Sequence, residues 1–319
     1  MKTCLIYGHD GLDLDVTYNL EYFYRKQGFS VFFSGKIYDA DLLVVTRAKD
    51  SLLDMAGLNF GLIHVYDYTG WDYDAFINSV DHSRTFIFTT FPGRKSQLQK
   101  LGFPSEQIYI ALPPVVTALW SKKLKVIRYK LVHIGNFKQI DGSDNIRIRF
   151  NKAVEHFKVN VWGSGWNSQG VYNGKAALFR VSSIYSKSEY ALGLMYPFQR
   201  QTTFSGRFWQ APLNGCTLFS EEGFYTQKIP GIIETDYSPE DLDVKIAVKA
   251  DRQKVRDESI RFWNEQYQLT LGYVKPTLDR FENSSSSLSR FLIFLYNRFS
   301  NILIRSYQRS GLSVLIAGK

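Results

Sequence analysis

The chain has 319 residues, 45% hydrophobic and 22% charged, with aromatic residues at 16% and a formal net charge of +9. That length suits two ordinary domains better than one core, and that apolar content excludes a disordered or fibrous chain. Its two cysteines, Cys4 and Cys216, both lie in apolar runs, which excludes a disulfide framework and points to buried thiols in a reducing compartment.

The chain opens on "KTCLIYG", an apolar run ending in glycine. It is too short for a signal-peptide core, and no window approaches the ~18 apolar residues of a spanning helix, so the protein is expected to stay in the cytoplasm. A helix-like segment follows from about Asp15 to Gln27, then the strands "FSVFFS" and "DLLVVT". "LIHVYDY" and "RTFIFTT" are two further runs of β-branched and aromatic residues, followed by the helix "RKSQLQKLG" and then "QIYIALPPVV". Strands alternating with helices predict βαβ units, so residues 1–120 are expected to form one Rossmann-like α/β domain around a parallel sheet.

Around residues 115–128 the pattern breaks, and "SKKLKVIRYK" (121–130) carries five basic residues and no acid. The pattern then restarts. "YKLVHIGNF" is a strand ending in glycine, "NIRIRFNKAVEHF" a helix, and "KVNVWGSGW" a strand running into Gly-x-Gly. "YALGLMYPF" and "SGRFWQAPLNGCTLFSEE" (205–222) come next, then a charged helix from about Asp251 to Gln268. Residues 121–282 are therefore expected to be a second Rossmann-like domain. Open parallel sheets bind ligands beyond the carboxyl ends of their strands, so two such domains enclose a cleft.

Residues 283–319 differ in composition: "NSSSSLSRFLIFLYNRFSNILIRSYQRS" begins as a serine linker and continues with arginines and no acid. At ~100° per residue, Arg290, Arg298, Arg305 and Arg309 share an arc of roughly 100°, with Leu288, Leu292, Leu295, Phe299 and Leu303 opposite. This predicts a basic amphipathic helix, whose apolar face over 288–309 either lies on a membrane surface, packs on the protein or forms an oligomer contact. With this tail and the 121–130 segment set aside, the rest of the chain is close to neutral.

Within 205–222, Ser205 has the character of a helix N-cap, Pro212 is tolerated early in a short helix, and Gly215 ends it before a buried strand. Trp209 reads as core, and Glu221 and Glu222 are expected at the solvent surface. Packing does not account for Arg207. The strand-ending glycines Gly135, Gly163 and Gly165, with Asn136 and Lys138 nearby, allow a ligand close to the backbone, and free amides there hold phosphate. Arg200 and Arg207, together with Lys138, are the cations available to a diphosphate, while Arg147 and Arg149 suit helix-surface ion pairs equally well. The glycine spacing matches neither a dinucleotide fingerprint nor a P-loop, so no bound cofactor is expected.

The order of these motifs resembles the C-terminal nucleotide-sugar domain of GT-B fold glycosyltransferases over about residues 130–270, nearest the bacterial spore-protein-like group of family 1/4 type. The corresponding stretch in that group runs Arg-x-Phe-Glu-x-x-x-x-Gly; here it reads Arg207-Phe208-Trp209-Gln210, then Gly215. The resemblance implies two Rossmann-like domains facing a cleft (GT-B), with Arg207 by the diphosphate. Gln210 replaces the glutamate that bonds the nucleotide ribose.

Inverting transfer needs a base from the first domain, and the candidates are His9 and Asp10 after the first strand and Asp67 ending "LIHVYD". The histidines lack metal-ligand spacing, and the four Asp-x-Asp pairs, Asp13/Asp15 among them, read as surface acids, so no metal site is expected. The expectation is a metal-independent glycosyltransferase moving a sugar from a nucleotide-diphosphate donor to a glycan or lipid-linked glycan in bacterial surface polysaccharide or glycolipid assembly. Two alternatives stand beside it. One is a phage-type DNA glucosyltransferase, whose Arg-x-Trp-Glu stretch resembles "GRFWQ" and whose partner is nucleic acid; the other is a transferase-like scaffold inactivated at Gln210.

Overall fold

The computed structural model describes residues 2–7, 14–34, 40–46, 60–67, 80–137, 145–166, 170–195 and 205–284. The first sheet contains β1 (Lys2–Tyr7), β2 (Phe29–Ser34), β3 (Ala40–Val45), β4 (Phe60–Asp67), β5 (Thr85–Thr89) and β6 (Ile108–Ile110). Its order is β2-β1-β3-β4-β5-β6 and every pairing is parallel. Side chains alternate between faces along a strand, so a sheet covered on both sides needs strands apolar throughout. Cys4, Ile6, Leu42, Val44, Tyr66 and Phe88 accordingly face helix α1 (Leu14–Lys26), through its Leu20, Phe23 and Tyr24. Leu5, Leu43, Val45, Val65 and Ile87 face the other way, onto Leu98 of α2 (Pro92–Lys100) and Phe103.

The second sheet is also wholly parallel, in the order β12-β11-β10-β7-β8-β9. Its strands are β7 (Tyr129–Ile134), β8 (Asn160–Trp162), β9 (Val171–Tyr172), β10 (Ser188–Leu192), β11 (Thr217–Ser220) and β12 (Ile232–Glu234). Helices α4 (Asn145–His156) and α7 (Pro239–Ala247) cover one face, through Phe150, Val154 and Leu242. The other face packs on α5 (Leu178–Tyr185) and on Phe208 and Trp209 of the short α6 (Arg207–Gln210). The chain thus forms an α/β molecule of two doubly wound parallel sheets, as the alternating pattern predicts. In each sheet the strand order reverses at one crevice, between β1 and β3 in the first and between β7 and β10 in the second.

Two segments join the halves. Short helix α3 (Thr117–Trp120) lies in the connection, where Asn19 of α1 accepts from the Val116 amide at 2.7 Å and from the Trp120 indole N–H at 2.9 Å. The C-terminal helix α8 (Arg252–Ser284) begins against the second sheet, with Trp263 in its core, and ends under the first, where Val274 and Leu278 pack among Cys4, Ile6 and Phe23. The sequence reading stops this helix near Gln268. Pro276 removes a hydrogen-bond donor from its interior, but the apolar seat of its last turns carries the helix past it.

Candidate functional site

The crevice of the second sheet is built around Arg207. β7 ends at Ile134 and β10 at Leu192, and α6 places Arg207 across the gap between them. Its Nε–H donates to the Ile134 carbonyl at 2.8 Å, and Nη1 donates to the Leu194 carbonyl at 3.1 Å and to Ser205 Oγ at 3.3 Å. The Nη2 corner lies over Gly135, where a Cβ would stand 2.5 Å from it. Among the described residues no carboxylate pairs with this half-buried cation. The local fold follows from the residues singled out in the sequence: Gly215 takes φ +66° to end the turn after Pro212, and Trp209 is fully buried.

His133, one residue before the end of β7, is buried beside Arg207 and donates through Nδ1–H to the Leu192 carbonyl at 2.8 Å. Burial, reinforced by the neighbouring guanidinium, holds its pKa down to about 3, so the ring is neutral and Nε2 keeps its lone pair on the crevice side. Sequence reasoning weighed this histidine only as a metal ligand. Its signal was its position, next to last in a strand that ends in glycine.

The glycine turns differ from the expectation of free amides. They zip together: Gly135 N–H donates to the Trp162 carbonyl at 2.9 Å, Phe137 N–H to Ser164 O at 2.8 Å, and Gly163 N–H to Gly174 O at 3.0 Å. Asn136 Oδ1 accepts from the Ser164 amide at 2.9 Å, and the Trp166 indole N–H donates to Gly135 O at 2.7 Å. Gly163 sits at φ +147°, and a Cβ there would fall 2.1 Å from Gly135 O, so no other residue permits this approach. Gly165 packs on Phe137 in the same way. Together the turns form a hydrogen-bonded floor next to Arg207, with most of their described amides already engaged.

Gln210, one turn on from Arg207, is buried and turned toward the first domain. Its Nε2 donates to Asp15 Oδ2 at 3.1 Å, across 195 residues of chain. Asp15 opens α1, beyond the carboxyl end of β1, and its carboxylate lies so close to Gly206 that a Cβ there would meet Oδ2 at 1.7 Å. The reading of Asp15 as a surface acid is thereby corrected. Glu221 also departs from expectation: it is buried, accepting from the Met195 amide at 2.8 Å and the Tyr237 hydroxyl at 2.6 Å, while Glu222 is exposed. It braces the loop after β10 that carries the Leu194 carbonyl.

On the first-domain side, Asp67 ends β4 and is ion-paired with Arg94 of α2 at 3.1 Å, both side chains largely buried. Near the end of β5, the Thr90 carbonyl accepts from the Tyr225 hydroxyl, and Phe91 meets Phe224 edge to face, a second bridge between domains. His9, Asp10, Lys138, Arg200 and the tail from residue 285 lie outside the described residues. Arg149 makes an exposed ion pair with Asp236 at 3.1 Å, the surface role weighed for it.

No protein-family model and no curated protein matches the sequence. Solved structures match the fold over both domains. AviGT4, a glycosyltransferase involved in avilamycin A biosynthesis, is 12% identical, with a TM-score of 0.62 over 89% of this chain and 99% of its own. An alpha-glucosyltransferase in complex with UDP and a 13-mer DNA is 12% identical, with a TM-score of 0.59 over 88% of this chain and 99% of its own. Anabaena HepE, in complex with UDP and glucose, is 11% identical, with a TM-score of 0.55 over 85% of this chain and all of its own. At these identities the likeness is one of fold: this chain has the GT-B architecture of glycosyltransferases.

Proposed function

We propose that the protein is a glycosyltransferase that moves a sugar from a nucleotide-diphosphate donor to a glycan acceptor. The observation that carries this is Arg207: a guanidinium without a carboxylate partner among the described residues, held by the carbonyl that ends β7 and one in the loop after β10, at the reversal point of the second sheet. Ligands of doubly wound sheets bind at such a point, and a planar cation suits a diphosphate. UDP is the first nucleotide to test, since matched structures hold it. In this reading Arg207 stabilises the leaving diphosphate in place of a metal ion, and neutral His133 offers a hydrogen-bond acceptor beside it. The acceptor's proton goes to His9, Asp10 or Asp67, of which Asp67 is held in an ion pair with Arg94. The Arg-x-x-Gln-x-x-x-x-Gly stretch supports kinship with the spore-protein-like group.

The basic tail supports a lipid-linked acceptor at the inner face of a membrane, as in surface polysaccharide assembly. Recovery of the full chain wholly in the soluble fraction, with no binding to anionic vesicles, removes that part of the proposal. The donor site is tested by calorimetric titration of UDP, GDP, dTDP, ADP and CMP into the protein. One nucleotide is expected to bind, with affinity falling about tenfold or more in Arg207→Ala, because hydrogen bonds to charged groups are worth roughly 1.5–3 kcal/mol. Binding undiminished by that change places the site elsewhere.

A second reading, DNA glucosylation, is favoured by one observation: Lys122, Lys123, Lys125 and Arg128 are all exposed on a segment pinned by backbone bonds to Ser186 and Lys187. Duplex binding that weakens steeply with salt, and that charge reversal of these four abolishes, selects this reading over the first.

A further inference from the structure

We infer that Asp15 and Gln210 are a matched positioning pair that closes the two domains over the donor pocket, and that this pairing is why position 210 carries an amide. Three independent features converge on it. Gln210 Nε2 donates to Asp15 Oδ2 at 3.1 Å. Gly206 leaves the space that the Asp15 carboxylate fills, since a Cβ there would stand 1.7 Å from Oδ2 and 3.2 Å from Gln210 Nε2. The pair also stands one helical turn from Arg207, the cation of the proposed donor site, and joins the start of α1 to α6.

The chemistry of the residue at 210 decides whether this contact forms. An amide donates to a carboxylate and adds no charge. A glutamate there would set two carboxylates about 3 Å apart in a part-buried place, a like-charge contact that replaces the hydrogen bond. Gln210 is therefore not a weakened version of an acid at this position. It is the partner that an acid contributed by the opposite domain requires. Of the bonds Asp15 makes within its own helix, its Oδ1 accepts from the Val16 amide at 3.0 Å and its carbonyl from Asn19 Nδ2 at 2.9 Å. Asn19 in turn holds the Val116 amide and the Trp120 indole, so the acid is tied to the connection between the domains.

The inference rests on the nucleotide reading only for its affinity arm. The test compares the wild-type protein with Gln210→Glu and with the double variant Asp15→Asn/Gln210→Glu. In the double variant an amide at position 15 donates to a carboxylate at position 210, and the bond is restored with its direction reversed. Two readouts are taken at mildly alkaline pH: UDP affinity by calorimetry, and the inter-domain distance by pulsed electron resonance between spin labels at Lys100→Cys and Glu155→Cys. Both label positions are exposed, and the native Cys4 and Cys216 are buried. Gln210→Glu is expected to lengthen or broaden the distance and to weaken UDP by about tenfold, the cost of one like-charge contact. The double variant is expected to recover both. Gln210→Glu binding UDP as well as or better than the wild type, or a distance distribution it leaves unchanged, overturns the pairing; so does a double variant no better than the single one. If neither the wild type nor any variant binds UDP or the other four nucleotides, the nucleotide reading fails by itself, and the distance measurement still decides the pair.

Discussion

At the scale of single residues, the proposed donor site depends on atoms that are absent. A methyl group at Gly135 would lie 2.5 Å from Arg207 Nη2 and 2.8 Å from His133 Nε2. Because the guanidinium is the far end of a flexible side chain, Gly135→Ala is expected to fold, at a cost of about 1–3 kcal/mol, while pushing Arg207 off its two carbonyls. Calorimetry and thermal melting should show nucleotide affinity reduced about tenfold in a protein that still unfolds cooperatively. Affinity left intact would mean that the Nη2 corner does not face the ligand. Arg207 and the strand-end glycines were legible in the sequence because a cation beside an apolar strand and a glycine at a strand end are local signals. Asp15 was not legible, since an acid at the start of a helix looks the same whether water or another domain faces it.

The elements show what their own residues can and cannot encode. Ser238 caps α7 by accepting from the Asp241 amide at 3.3 Å, with Pro239 in the first turn, a start signal that the sequence reading passed over. Helix α8 starts as its sequence implies, with Asp251 Oδ1 accepting from the Gln253 and Lys254 amides at 3.0 and 3.1 Å. Its far end depends on the first sheet instead, where Thr277 Oγ1 receives the His64 Nε2–H at 2.9 Å. The connection between domains hangs on α1 in a similar way. Asn19→Ala would leave the Val116 amide and the Trp120 indole N–H buried without their acceptor, which is expected to cost about 2–4 kcal/mol. Urea denaturation of the variant checks this, and a loss well under about 1 kcal/mol would mean that water replaces the side chain.

For the whole molecule, two buried neutral histidines set the acid limit. His64 bonds Tyr24 Oη at 2.6 Å and Thr277 Oγ1 at 2.9 Å, and burial holds its pKa down to about 3; His133 is held to about 3 as well. A depressed histidine pKa means that the unfolded chain takes up protons which the folded chain refuses. Stability from this source is therefore complete above the ordinary histidine pKa of 6.5 and is lost as pH falls from there toward 3. Each histidine is expected to remove about 1.4 kcal/mol per pH unit across that window. Denaturant midpoints measured at neutral and mildly acidic pH should fall accordingly, and equal midpoints would show that water reaches both rings. The fall crosses both domains, since His64 belongs to the first sheet and His133 to the second.

The sequence by itself determined that this protein has two parallel sheets wrapped by helices, because apolar runs, helical periods and terminal glycines are written in contiguous residues and act over a few ångströms. It also marked Arg207 and the strand-end glycines as candidates. The tertiary structure alone decided that the glycine turns engage each other's amides, that α8 returns to the first domain past Pro276, and that Gln210 meets Asp15. The physical reason is the same in each case: a hydrogen bond or buried contact between distant segments exists only when separate elements dock. Amide, acid and glycine acquire their roles from a partner that is not beside them in the chain.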